Sequence, residues 1–419
     1  MINKIIYIIV FCSFPVFIYH CSDESSNGSS DNPIYGCTDS SSSNYDSTAT
    51  QDDGSCIYCD IDTTYKRVIS GTAGYDIIRS NNCSFVLSGT NGKTILMKIN
   101  EVGEEIWSQT YNEINGNHWG TTLNPTADGG YIIGGLTNVI KTDSMGVLEW
   151  YYKLPYSNAH YIENIIHTFD GDYVVVGGVN GDPGTGGHNQ RGQAFILRLS
   201  EGGGVQWVKR YGISNTPMDT FYGVVQADDG GFVTAGSKLH DRNFEFYNHF
   251  WVIKMDESGN IDWSHELGGN YWDEAQDIVK LSDDSYVVAG KKSLSKTNIN
   301  LWIMYISASG SIVWQSNHGG GNNDTGTALT ITDNEAVAVA TGYSRSSSGS
   351  SFSYRVWGID ADSGQLLWNK IHGGNQEDKA YGVAEGYDNG FMLIGRSYSF
   401  GSERVNWLVK TDSLGRVDN

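Results

Sequence analysis

The chain has 419 residues, a formal net charge of −21, 12% aromatic residues, 52 glycines and 6 prolines. Phosphate binding needs a basic surface, so this charge argues against nucleic acid as a partner and suits an acidic, soluble exterior. Many aromatic residues with abundant glycine describe short twisted strands joined by glycine turns, and a helical composition is absent.

Residues 1–20 carry Lys4 and then the apolar run IIYIIVFCSFPVFIY. The run is too short and too early for a stable spanning helix and has the form of an export signal. Cys21-Ser22-Asp23-Glu24 follows, leading into a Ser, Asn and Gly tract over residues 21–34. This stretch resembles a bacterial lipoprotein signal, departing from it at Tyr19 and His20, where small residues are usual. Ser-Asp-Glu after the cysteine resembles the surface-export signal of Bacteroidota lipoproteins. The resemblance implies acylation of Cys21, a flexible tether, and a lipid-anchored protein of the outer membrane displayed on the cell surface. An ordinary signal peptide with a chance cysteine is the alternative.

Residues 35–59 contain Gly36-Cys37-Thr38-Asp39, Asn44-Tyr45-Asp46 and Asp52-Asp53-Gly54-Ser55-Cys56. They resemble the short GCTD…NYD…DDGSC module of secreted and surface proteins from the same bacterial group. So small a unit cannot bury a core, and a Cys37–Cys56 disulfide is the expected staple. Asp39, Asp46, Asp52 and Asp53 offer oxygen ligands suited to Ca²⁺; solvated turn acids are the bland alternative. With Cys12 cleaved away and Cys21 acylated, Cys59 and Cys83 are left to bond the module to the unit that follows. Four cysteines allow three connectivities, which stay open.

From residue 60 to 419 the chain repeats. A short apolar strand turns at an Asp-Gly pair into a β-branched strand, as in Asp128-Gly129-Gly130-Tyr131 and Asp229-Gly230-Gly231-Phe232. This is a strong hairpin signal. A third strand follows, such as Trp251-Val252-Ile253-Lys254-Met255, in which Lys marks the polar side. Then an Asp or Asn, two residues, Gly and three more residues lead to a Trp. Trp107, Trp150, Trp207, Trp263, Trp314 and Trp368 are separated by 43, 57, 56, 51 and 54 residues, the period of a four-stranded propeller blade.

The expected fold is therefore all-β: a seven-bladed β-propeller of four-stranded antiparallel blades, with units at 71–111, 112–156, 157–212, 213–269, 270–320, 321–374 and 375–419. In the last unit the Trp position falls on Asn419, so its outer strand is missing. Residues 65–71 superpose on 368–374 with Tyr65 in the Trp position, and closure of the ring by this N-terminal strand is expected. The stretch from Ile359 to Trp368 resembles the quinoprotein-type propeller repeat. The wider unit resembles uncharacterised propeller repeats of bacterial surface lipoproteins and cell-wall proteins. That similarity implies fold only, since no adjacent-cysteine pair is present to sandwich a quinone.

Turns between first and second and between third and fourth strands are tight, whereas second-to-third connections and blade crossovers are long and varied. The varied side is the expected ligand face. It carries the candidates Trp119, Phe244, Phe246, Tyr247, Tyr271 and Trp272, expected in loops and crossovers as contacts for a sugar or peptide. Asp219, Asp273, Asp324 and Asp378, with His118 in the matching place, precede inner strands. They suit either a cation or hydrogen bonds within their own turns. The Trp series is expected to pack the blades. No catalytic motif is complete: Gly89-Thr90-Asn91-Gly92-Lys93-Thr94 is two residues short of a phosphate loop, and the ten histidines show no paired ligand spacing. The leading expectation is a non-enzymatic surface lipoprotein whose propeller binds a glycan or an envelope protein, with no cofactor beyond a possible Ca²⁺. A polysaccharide hydrolase or lyase using the crossover acids, and a structural subunit of an envelope or filament assembly, are the alternatives.

Overall fold

The computed structural model describes residues 33–40, 42, 45–59, 63–112, 120–155, 160–180, 192–212, 219–242, 245–320, 323–345, 351–401 and 403–418. All regular structure among them is strand. Seven four-stranded antiparallel sheets form the blades of a propeller, each laid down in chain order from the innermost strand outward. Blade 1 comprises Ala73–Ser80, Ser84–Thr90, Thr94–Asn100 and Glu105–Thr110, and the pattern repeats through blade 6, which ends at Leu366–His372. Blade 7 takes Asp378–Glu385, Phe391–Ser397 and Val405–Lys410 from the end of the chain, and its fourth strand is Tyr65–Ile69.

The register of that closing strand matches the expectation. Tyr65 pairs with Lys410 as Trp107 pairs with Lys98, Trp150 with Lys141 and Trp263 with Lys254. There is no single core. Seven buried clusters each span one blade-to-blade seam, and the cluster joining blade 7 to blade 1, with Met392, Ile394 and Leu408 against Ile77, Phe85 and Leu87, is built like the rest.

The repeat signature is explained at these seams. Gly103, Gly146, Gly203, Gly310, Gly364 and Gly415 all have φ between 69° and 85°, in the left-handed region that the turn before each outer strand requires. A Cβ on any of them would come within 2.9 Å of an aromatic ring from the preceding blade: Tyr65, Trp107, Trp150, Trp263, Trp314 and Trp368 in turn. Gly259 is the exception, being met by Lys209 and Tyr211. Four of these rings, Trp107, Trp150, Trp263 and Trp368, also reach the aromatic residue that opens the next blade's second strand, as in Trp150–Tyr173 at 5.7 Å and Trp368–Phe391 at 5.9 Å between centroids. Trp, Gly and Tyr/Phe are thus three parts of one contact.

One expectation is corrected. The lysines of the third strands do not mark a polar side, because a third strand has a strand on either edge and a blade over either face. Lys141, Lys254 and Lys410 are buried, and each ammonium reaches the aspartate of its own blade's first hairpin: Asp128, Asp229 and Asp388. Arg198 does the same with Asp170 and Asp172. Burying an unpaired charge would be costly, so the Asp of the Asp-Gly turn serves as a counter-ion as well as a turn former.

In the N-terminal module, Tyr35–Gly36 pairs in parallel with Gln51–Asp52. Cys37 is bonded to Cys56 and Cys59 to Cys83, with Cα separations of 4.8 and 5.4 Å. Cys83 lies in the first hairpin turn of blade 1 with φ 54°, so the second disulfide fastens the module to the propeller.

Removing residues 60–71 is expected to expose the edge of Val405–Lys410 and open the seam to blade 1. The shortened protein should aggregate or melt far below the parent, while removal of 22–58 leaves the propeller folded. Equal melting temperatures for the two deletions would contradict ring closure.

Candidate functional site

The second and third strands of blade 4, Phe232–Arg242 and Glu245–Met255, pair along their whole length and project beyond the core of the blade. Blade 5 projects similarly through Tyr286–Ser295 and Asn298–Ile306. The segment expected to be a loop at 238–249 is therefore mostly hairpin, because its alternating residues pair across the sheet. Phe246 and Tyr247 stand on a strand, not in a loop.

Between the two projecting hairpins lies an open groove of about 910 Å³. Phe246, Tyr247, Tyr271 and Trp272 all line it, so four of the six ligand-face candidates converge on one place. Trp119 and Phe244 lie outside the described residues, as do His118 and Cys21. Trp272 is 51% and Phe246 43% exposed, unusual for large aromatic side chains that could pack elsewhere. Sequence reading missed the polar half of the lining, Asn270, Ser293, Ser295, Lys291 and Lys296. Asn270 belongs to the crossover itself, whereas only the pairing register of the blade 5 hairpin brings the serines and lysines to it, and no local motif marks that register.

The crossover is held rigidly. Asp273 accepts hydrogen bonds from the Gly269 amide (2.8 Å) and the Ser293 amide (2.7 Å), and the Ser293 hydroxyl donates to the Trp272 carbonyl. Asp324 and Asp378 likewise accept from the Gly320 and Gly374 amides, but from the Ser344 and Ser397 hydroxyls in place of a strand amide. Asp219 accepts from the Leu239 amide. All four carboxylates are buried. A Cβ on Gly212 or Gly268 would strike the carboxylate first, and one on Gly319 or Gly373 would meet Asn300 or Ser353 before it, which accounts for glycine ahead of these four crossovers. These acids bond within their own crossovers, the second of the two roles read from the sequence.

The module acids also have local partners. Asp46 accepts from the Thr48 amide and hydroxyl, Asp52 from the Gly54 amide, Asp53 from the Ser55 amide, and Asp39 from the Tyr58 hydroxyl.

The central channel is a second concavity, of about 410 Å³. Every inner strand carries a β-bulge at the same place, and the seven unpaired residues are Tyr75, Thr121, Glu163, Tyr222, Gln276, Thr327 and Tyr381. All seven line the channel. A bulge re-aims one side chain, and here the fold repeats that device around the axis. After the bulge, Asp76 and Asp277 each accept the next residue's amide and an amide of the following blade, Leu123 or Leu329, at 2.8 Å. Burial pushes both carboxyls up to about 7, with the amide bonds pulling the other way. Glu163 is also pushed up to about 7, by burial first and by the Glu274 charge second. The channel leaves Glu163 partly accessible, but its narrow lumen is a poor substitute for bulk water, so the upward direction stands.

No family model matches the chain, and no characterised protein matches it in sequence. Solved structures do match. A protein of unknown function from Bacteroides caccae is 14% identical, with a TM-score of 0.47 over 69% of this chain and 93% of that one. The WD40 domain of Pan2 from Neurospora crassa is 11% identical, with a TM-score of 0.51 over 83% and 92%. A catalytically inactive virginiamycin B lyase from Staphylococcus aureus, solved with quinupristin, is 12% identical, with a TM-score of 0.52 over 83% and 99%. At these identities the last two likenesses show the β-propeller fold alone.

A raised carboxyl has a defined sign in stability. The unfolded chain loses the Glu163 proton near its ordinary value and the folded chain keeps it to about 7, so stability falls as pH rises through that window. Glu163→Gln should therefore lose less stability than the parent between pH 5 and pH 8, read as urea midpoints at the two pH values. Asp76 and Asp277 remain in both proteins, so the difference isolates Glu163. Parallel losses would show that its carboxyl is not perturbed.

Proposed function

We propose that this protein is an exported, lipid-anchored glycan-binding module, held at the cell surface through Cys21, with the groove between blades 4 and 5 as its recognition site. The observation that carries the reading is the convergence of Phe246, Tyr271 and Trp272 with Asn270, Ser293, Ser295 and two lysines in one open groove. A sugar ring offers an apolar C–H face to an aromatic plane and a fringe of hydroxyls to amides, hydroxyls and ammonium groups. An open trough, rather than a closed pocket, suits a chain that passes through it. The rigid crossover beneath Trp272 lowers the ordering cost of binding.

Trp272→Ala and Phe246→Ala test the site, using retention in gels containing neutral and acidic polysaccharides. Both side chains are largely exposed, so melting should stay within about 0.5 kcal/mol of the parent. Retention should weaken by about 30-fold or more if either is an anchor, the change that corresponds to about 2 kcal/mol. Folded variants that bind as the parent does would move recognition away from the groove, and capture of one envelope protein without any polysaccharide would replace the glycan.

Anchoring is tested separately. Cys21→Ala should abolish metabolic palmitate labelling and release the protein into the soluble fraction. Label and membrane association that both persist would refute the lipid anchor.

A second reading, a lyase or hydrolase acting on such a polymer, is favoured by one observation. Glu163 has a carboxyl near neutrality in a channel that also holds Tyr222, a pairing suited to proton transfer. Release of reducing or unsaturated ends by the parent but not by Glu163→Gln would establish it.

A further inference from the structure

His240, His249 and Glu266 are far apart in sequence but adjacent in blade 4. They lie on its second, third and fourth strands, and the register sets them on one face: His240 opposite Tyr247, His249 opposite Lys238, and Glu266 opposite Trp251. Glu266 Oε1 lies 2.6 Å from His240 Nε2 and 3.1 Å from His249 Nδ1, and one ligand atom from each residue falls within 4.8 Å of the others. No spacing rule along the chain reveals this trio, because a hairpin and a strand pairing assemble it.

The cluster leaves one buried ring nitrogen without a hydrogen bond. His249 Nε2 lies 3.2 Å from the Gly269 carbonyl, which can only accept, so that nitrogen carries the hydrogen. His249 Nδ1 lies 3.1 Å from Glu266 Oε1, within hydrogen-bond reach of it. His240 Nε2 is buried and has no hydrogen-bond partner, because its close approach to the same oxygen lacks the direction of an N–H bond. One carboxylate oxygen and two ring nitrogens thus lie within 4.8 Å of one another, and one of those nitrogens is buried without a partner. A ring nitrogen bonded to a backbone carbonyl while the other points inward is the outer-shell arrangement of metal-bound histidine.

The surroundings hold these groups in place. His240 is stacked on Tyr247 at 5.4 Å and 16°. Lys238 Nζ occupies Glu266 Oε2 at 2.6 Å, which orients the carboxylate and leaves Oε1 for another ligand. Glycine at 268 makes room, since a Cβ there would fall 2.8 Å from the His249 ring. Tetrahedral zinc, with bonds of about 2.0–2.1 Å, separates its ligand atoms by roughly 3.3 Å. The observed spacing needs shifts of under about 1 Å to reach that geometry.

We infer that His240, His249 and Glu266 bind a divalent cation of the zinc class at the lip of the groove. Two imidazoles and one carboxylate select zinc over hard cations such as calcium, which take six to eight oxygens. Three protein ligands leave a fourth position, and Tyr247 both stacks on His240 and lines the groove, so that position lies beside the proposed recognition surface. The inference does not depend on what the groove binds.

The test uses the mature chain, stripped with chelator and titrated with zinc chloride by calorimetry, with calcium chloride in parallel. One equivalent of zinc should bind and raise the melting temperature, with no calcium heat. Cobalt in place of zinc should give the visible bands of a tetrahedral site. His249→Ala, Glu266→Gln and His240→Phe should each weaken zinc by at least about 10–100-fold, the range known for outer-shell losses. His240→Phe keeps a ring on Tyr247, so a folded variant is retained even if the other two unfold. Zinc binding that is absent in the parent, or undiminished in His240→Phe, would overturn the inference.

Discussion

The propeller depends on the contact between an outer-strand aromatic ring and a left-handed glycine of the next blade. The glycine is favoured twice at the same atom: its φ is one that residues with a side chain rarely adopt, and the ring occupies the space where a Cβ would stand. Where the ring is Trp107, Trp150, Trp263 or Trp368 it also packs against the aromatic residue opening the next second strand, so the seam fixes both the angle and the height of its neighbour. Six of the seven seams use this contact, and the seventh substitutes Lys209 and Tyr211 at Gly259. A ring of such seams has no free end only if the last blade meets the first in the same way. Tyr65 on Gly103 makes that contact, with Arg67 bonding to the Val102 carbonyl beside it.

Much of this was legible in the sequence because it rests on local rules repeated at a fixed period. The Asp-Gly hairpins, the Gly-to-Trp spacing and the missing seventh Trp led to seven blades and to closure by residues 65–71. Cys37 pairs with Cys56, the expected staple, and Cys59 with Cys83, among three connectivities that counting left open. What escaped was everything that depends on register or on burial from both sides. Lys254 looks solvent-facing in a strand read alone, yet it is buried once a blade covers each face. Phe246 and Tyr247 were expected in a loop because strand length cannot be read where polar and aromatic residues alternate. The channel-lining bulge residues carry no common side chain, so no motif announces them. His240, His249 and Glu266 meet only across three paired strands.

The candidate site is likewise a consequence of the scaffold. Buried aspartates tie the crossovers into blades 4, 5, 6 and 7 to the end of the second strand, leaving the crossover backbone little freedom. On blades 4 and 5 this rigid base meets two hairpins longer than the core requires. Their surplus length raises Phe246 and the blade 5 serines above the face, where with Tyr271 and Trp272 they bound the groove. The channel differs in kind: its wall is shared by all seven blades, and its perturbed acids Asp76 and Asp277 hold neighbouring blades together.

Two sets of tryptophans have opposite roles in this proposal: the seam rings build the propeller, and Trp272 is proposed to meet the ligand. Fluorine NMR of protein labelled with 5-fluorotryptophan separates them, with Trp272→Phe assigning one resonance. Adding the polysaccharide retained in binding gels should shift the Trp272 signal and leave those of Trp150, Trp263 and Trp314 in place. A ligand that moves the seam resonances while the Trp272 signal stays fixed would contradict the account.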